Sequence, residues 1–323
     1  MLIKKLIKCL NSSVPPLYIR GKEKNIFLFS TPRSGSTWLL ELLVREKGMS
    51  YCFEPFDIRS SSVKKKLNDI GFFSWNDLYS DKNLDRLLAY KVLKNGYLYG
   101  CNPMPLELKR WKTGFLSKEY RFFSNRLVFK ILHAFEHRID WFKDNLKGEI
   151  LYLLRHPIPV SLSRTVAPRI ETFLESDYSK HFSKKILNKS KLIFQNGDNL
   201  EIKVLSWCFQ NAVPLKNKKK SWTLVTYEQL KSEPETVIDY MSSKLNLKST
   251  EDFKSNINIA SKTMGINKKG FDYSKTDGTL TGINKWRNQI STDKEKKLME
   301  IVKIFGIDIY EFGEDMPNKK YLI

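Results

Sequence analysis

An arginine, a glycine and three hydroxyl side chains are crowded into residues 33–37 of the segment FSTPRSGSTWLLELL, residues 29–43. The crowding separates a short apolar run, Ile26 to Phe29, from a run of Trp and Leu at helical spacing. A helix that begins there presents unsatisfied backbone N–H groups and a partial positive charge. Gly35 lets the backbone come close to a ligand, Arg33 adds a full charge, and Ser34, Ser36 and Thr37 add donors. The chemistry of such a segment is anion binding. An ordinary strand-to-helix turn would use Ser and Thr as caps in the same place. Ser36 rather than Lys follows Gly35, and no Asp closes a following strand to hold Mg²⁺, so the anion is expected to need no metal.

A second cluster, LLRHPIPVSLSR at residues 153–164, repeats the passage from strand to helix. Arg155 stands at the strand end, and Ser163 follows eight residues later, two turns up the expected helix. Arginine suits a bidentate grip on phosphate. Two such loops fit a ligand with two separated anionic ends. Lys130 is unusual in another way: it interrupts the apolar run RLVFKIL, and buried lysine is rare unless paired. An edge strand that turns Lys130 to water would also account for it.

Strands alternating with helices must position these residues. Strands are expected at 26–30, 126–132, 149–154 and 222–227, with helices at 36–47, 61–70, 82–90 and 134–146 and through much of 172–213. Pro157 fits a first helical turn, and SEPETVIDYMSSKLNL carries a Ser cap, an acidic first turn and helical apolar spacing. The alternation predicts an α/β fold, a mostly parallel sheet flanked by helices. Ligands of such sheets bind at the carboxyl ends of the strands, where the polar clusters after Ser30, Leu132 and Leu154 fall.

The 323 residues suffice for one domain with insertions. A net charge of +21 favours anionic partners, although lysine-rich surfaces alone also produce such a charge. Cys9, Cys52, Cys101 and Cys208 show no paired spacing, which argues against a zinc site or disulfide framework and for a reducing, cytoplasmic compartment. No apolar run reaches membrane-span length. The opening MLIKKLIKCL, ended by Pro15 and Pro16, reads as a packing arm, with peripheral contact at a membrane surface as its alternative.

These motifs together resemble the sulfotransferases that use 3′-phosphoadenosine 5′-phosphosulfate (PAPS). A TxPRSGSTW-like loop and a strand ending in Arg with a Ser eight residues on occur here in the family's order. WTLVTYEQLKSEPETVIDYMSSKL looks like the family's strand, Tyr-Glu turn and helix, and GTLTGINKWRN, residues 278–288, like its late loop. The resemblance covers about residues 25–315, weakly at 57–125 and 168–205. It implies a P-loop-like sulfotransferase fold as one domain over 25–315. It further implies an arm at 1–24, a tail at 316–323 and the two weak stretches as acceptor-side insertions.

By the same resemblance, Arg33, Ser34, Gly35, Ser36 and Thr37 hold the phosphosulfate, and Arg155 and Ser163 the 3′-phosphate. Trp38 stacks on adenine or packs in the core, and Tyr227 lies near the adenine with Glu228 structural. Gly282 and Lys285 belong to the late cofactor loop, at a spacing that departs from the cytosolic branch. His156 replaces the Asp of many members and receives no role. Sulfuryl transfer needs cations at the leaving oxygen and a base facing the sulfur. Arg33 and Lys130 are the expected cations, Lys130 standing close to the family's catalytic Lys. Glu54, in YCFEPFD, resembles the Glu-Pro motif of carbohydrate-directed bacterial members and is the preferred base. His133 resembles the cytosolic base but misses its spacing by one residue. The expected acceptor is therefore a carbohydrate hydroxyl, with no metal and no nucleic acid, and oligomeric state stays open. Rival readings are a P-loop phosphotransferase, which needs a metal carboxylate, and a basic nucleic-acid or membrane-binding protein, which leaves both anion loops unexplained.

Overall fold

The computed structural model describes residues 17–19, 21–95, 123–165, 169–257 and 282–323. Its strands are β1 (Leu17–Tyr18), β2 (Ile26–Ser30), β3 (Met49–Phe53), β4 (Phe123–Ser124), β5 (Arg126–Ile131), β6 (Glu149–Leu154) and β7 (Thr223–Thr226). Five of them form one parallel sheet in the order β3-β5-β2-β6-β7, and β1 pairs with β4 beside it. The strands are almost wholly buried, as near-continuous apolar runs of a parallel sheet covered on both faces must be.

Alternate side chains feed two separate cores. Phe27, Phe29, Phe129, Ile131, Tyr152 and Leu154 enter one, while Ile26, Leu28, Val128, Leu151 and Leu153 enter the other. The second core holds the helices Ser36–Leu43 and Pro234–Leu245, and the first holds Ile139–Leu146, Asn199–Asn217 and Thr292–Ile304. Lys130 shares the parity of Leu28, its register partner, and so points toward the helix Ser36–Leu43. Because β5 lies between β3 and β2, Lys130 is not on an edge strand.

The four expected strands and the sheet direction agree with the model. β3 was not expected from the sequence: its run MSYCF is short and half polar, and it becomes a strand by pairing with β5. The helix expected from 134 starts at Ile139, because Phe135 takes a left-handed φ of 64° and the chain turns through Arg138 first. Residues 81–89 wind as a tighter 3₁₀ helix. Helix Pro157–Leu162 stops sooner than expected, leaving Ser163 as its last cap rather than two turns within it. At the carboxyl-terminal end, Ile323 exchanges two backbone hydrogen bonds with the Gln229 side chain. Cys52 and Cys208 are buried; Cys9 and Cys101, like the opening MLIKKLIKCL, lie outside the described residues.

Candidate active site

The segment after β2 is a strained turn. Arg33 and Gly35 have φ of 73° and 90°, a region costly for a residue with a Cβ. Thr31 and Ser34 share a hydroxyl hydrogen bond of 2.5 Å, and Ser34 is fully buried. Gly35 caps the helix Ser36–Leu43 without any side-chain acceptor for its first N–H groups. A Cβ at Gly35 would stand 2.7 Å from the Tyr227 ring, so glycine is required by space as well as by φ. Trp38 is buried in the second core, edge-on to Tyr227 at 5.7 Å, with the Lys231 ammonium 5.1 Å over its ring.

Arg155 projects from the end of β6 onto the same turn. Its guanidinium lies 4.1 Å over Tyr227 and donates to the Arg33 carbonyl at 3.3 Å, while its buried Nε has no acceptor among the described residues. Arg33, Gly35, Arg155 and Tyr227 thus meet. Ser163 spends its hydroxyl on the Val160 carbonyl, at 3.0 Å. Gly282 and Lys285 are exposed, and no hydrogen bond among the described residues joins them to this turn. Glu228 is structural: it accepts from the His156 amide at 2.9 Å and from the Tyr310 hydroxyl at 2.7 Å. His156 caps the next helix through Nδ1 and stacks on Trp286, and burial holds its pKa at about 3.

Lys130 joins this turn to a second cluster. Its ammonium donates to Thr37 Oγ1 at 2.8 Å and to Glu54 Oε1 at 3.0 Å, and sits 3.9 Å over the Phe53 ring. Glu54 has a φ of 47° in the turn after β3, and its amide donates to the Lys130 carbonyl at 3.0 Å. Both side chains are nearly enclosed, at 3% and 12% exposure. Burial by itself raises Glu54, but the Lys130 ammonium, foremost of the groups acting against it, helps bring the carboxyl to about 2. Burial pulls Lys130 down, with Glu54 opposing.

His133 lies on the other side of Glu54, Nε2 to Oε2 3.6 Å. Arg59 donates to that same Nε2 at 3.0 Å and is itself held by both oxygens of Asp57, at 2.7 and 2.9 Å. The guanidinium is always a donor, so Nε2 carries no proton in this arrangement. Burial, reinforced by Arg169 and Arg59, keeps the imidazole below its ordinary range. Asp57, Arg59, Trp75, Tyr79 and Arg169 were not picked out from the sequence. Asp57 and Arg59 follow Glu54 closely and could have been noticed; Arg169 has no local signal. Among the described residues, Glu54, Asp57 and His133 also bring ligand atoms within 4.8 Å of one another, a possible metal set that sequence reading did not find. Lys130 and Arg59 already occupy its two carboxylates.

No family model and no curated protein matches the chain. Solved sulfotransferases resemble it in structure. The sulfotransferase domain of the Synechococcus PCC 7002 olefin synthase is 16% identical, covering 91% of this chain and 99% of that one, with a TM-score of 0.42. Mouse sulfotransferase SULT7A1, complexed with PAP, is 13% identical over 92% of this chain and 87% of that one, at 0.41. Sulfotransferase STF9 from Mycobacterium avium is 9% identical over 95% and 81%, at 0.37.

Proposed function

We propose that the protein transfers a sulfuryl group from PAPS to a hydroxyl of a carbohydrate or glycan. The observation that carries this reading is Lys130, whose ammonium bridges the uncapped anion turn, at Thr37, to a buried carboxylate, Glu54. The residues present fit the donor. The first-turn N–H groups of the helix Ser36–Leu43 have no side-chain cap, and the Arg155 Nε is buried without an acceptor. The Gly35 position admits no side chain.

Arg33, Ser34, Gly35, Ser36 and Thr37 would hold the phosphosulfate, Arg155 the 3′-phosphate, and Tyr227 and Trp38 the adenine side. Ser163, Gly282 and Lys285 remain proposed contacts of the same donor. When bound, the donor supplies an activated sulfuryl group with 3′-phosphoadenosine 5′-phosphate (PAP) as its leaving group. Arg33 and Lys130 then neutralise the electron pair left on the phosphate oxygen as its bond to sulfur breaks. Glu54 takes the proton of the acceptor hydroxyl as the new oxygen–sulfur bond forms. At about 2, Glu54 is a weak base while Lys130 holds it. An anion in the turn draws Lys130 toward itself, and burial then raises Glu54 toward a useful range. The wall of Glu54, Asp57, Arg59 and His133 is polar and suits a polyhydroxylated acceptor. Support for a carbohydrate also comes from the similarity of Glu54-Pro55 to the Glu-Pro motif.

The second reading, metal-dependent phosphotransfer, draws on the Glu54, Asp57 and His133 grouping. One titration separates them. With EDTA present, PAP raises the melting temperature under sulfuryl transfer, since binding to the native state stabilises it by mass action. A flat titration of folded protein to millimolar PAP, with a shift only from nucleoside triphosphate plus Mg²⁺, would overturn the proposal.

A further inference from the structure

The ladder that aligns Lys130 ends one residue later, where Ile131 faces Phe29. His133 therefore has no strand neighbour to fix it. Its carbonyl accepts two hydrogen bonds instead, from the Tyr79 hydroxyl at 3.2 Å and from the Arg169 guanidinium at 2.5 Å. The same guanidinium lies 4.2 Å over Trp75, whose ring meets the His133 imidazole edge-on at 6.0 Å. Arg169 thus holds His133 by its main chain and, through Trp75, by its ring. Behind it sits Glu136, buried at 8% exposure. Burial raises Glu136, and Arg169 is the foremost charge acting against that rise.

We propose that Arg169 is the positioning residue of the acceptor wall, fixing His133, whose ring lies beside Glu54; this rests on the sulfuryl-transfer reading. The role needs a planar cation that stacks on an aromatic face while directing an N–H at a carbonyl. Lysine has the charge but not the plane or the fork. Tyr79 is the junior partner, because it supplies one of the two bonds and no charge. Trp75 and Tyr79 are far from Arg169 in sequence, and Arg169 is where they close on His133, two residues past the end of β5.

The test uses full-length Arg169→Lys and Tyr79→Phe. Three quantities are measured: PAP affinity by calorimetry, conversion of PAPS to PAP, and the ¹⁵N imidazole signals of His133. In Arg169→Lys, PAP affinity stays within about twofold while conversion falls by no more than about tenfold, the limit set by losing the His133 ring altogether. The His133 Nε2 signal moves away from that of a nitrogen accepting from Arg59. Tyr79→Phe moves both readouts the same way by less. Unchanged conversion with an unchanged His133 signal overturns the proposal, and so does a loss of PAP affinity that parallels the loss of conversion. If wild-type protein does not bind PAP, the sulfuryl-transfer reading fails. The His133 signal then still decides whether Arg169 positions that residue.

Discussion

The two halves of the site differ in what they leave unsatisfied. On the turn after β2, donors are left over among the described residues: the helix Ser36–Leu43 starts without a side-chain cap, and the Arg155 Nε is buried without an acceptor. On the wall around Glu54, the charges are closed on one another: Lys130 on Glu54, Arg59 on Asp57 and on His133. A surface with spare donors waits for an anion. A surface of closed pairs holds its groups in place until something draws one partner away. Lys130 belongs to both, bonded to Thr37 on one side and to Glu54 on the other; on the proposed reading, occupancy of the first half opens the second.

The largest effect should come from breaking that shared residue or the carboxylate it holds. Glu54→Gln keeps the size and one acceptor but cannot take a proton, and general-base loss costs about 10²- to 10⁴-fold in rate. Turnover of PAPS with a screened carbohydrate acceptor falls by that factor while PAP affinity, read by calorimetry, is unchanged. His133→Ala costs about tenfold, since the ring sits beside the base rather than on the proton. Equal losses in Glu54→Gln and His133→Ala would move the base to His133. Full activity in both would mean that the wall is not the acceptor side.

The same contrast explains what could be read from the sequence. The donor turn is contiguous: Arg33 to Trp38 lie between a strand and a helix whose apolar periods are plain, and Arg155 repeats the pattern. Its grouping was visible because the residues are contiguous in the chain. Lys130 and Glu54 were visible one at a time, as a charge in an apolar run and as an acid before Pro55. Their 3.0 Å pairing was not, because it depends on β3 joining β5, and MSYCF shows no clear strand pattern. Arg169 was out of reach, since its partners Trp75, Tyr79 and His133 come together only through the tertiary fold. Ser163 was read too simply: spacing put it on a helix face, but the helix stops at Leu162 and the hydroxyl turns back to Val160.

A smaller but more selective effect tests the donor half. Arg155→Ala removes the guanidinium that has a spare buried nitrogen and also tethers the Arg33 carbonyl. A charge-assisted hydrogen bond to phosphate contributes about 1.5–3 kcal/mol. Calorimetry should show that the variant loses about 10- to 100-fold in affinity for PAP. It should lose little for the analogue lacking the 3′-phosphate. Equal losses for both nucleotides would assign Arg155 to shaping the turn alone, and the surplus of donors would then lie in the backbone.

The smallest effect compares the buried histidines behind the two halves. His156 stands behind Arg155 with a pKa of about 3, and His137 behind His133 with one of about 4, each depressed first by burial. Both are lower in the folded chain than the ordinary 6.5, so the unfolded chain binds protons that the native one refuses. Their stabilisation is complete above that value and is lost as pH falls below it. Between pH 7 and pH 5 each contributes a loss of about 2 kcal/mol. Glu136 and Glu228, raised by burial, act in the opposite sense, so the total slope does not isolate either histidine. A single substitution does. His156→Asn keeps an acceptor for the Ile158 amide, as asparagine is a good helix cap, and removes the titration. It loses the stacking on Trp286, so its stability at pH 7 is lower, and the informative quantity is the slope. Urea unfolding at pH 7 and pH 5 should show the variant losing about 2 kcal/mol less than wild type over that interval. Identical slopes would mean that His156 takes up its proton in the folded protein at the same pH as in the unfolded chain. Below that pH the anion turn would then have one more buried cation behind Arg155, and its surplus of positive charge would be larger than the neutral ring allows.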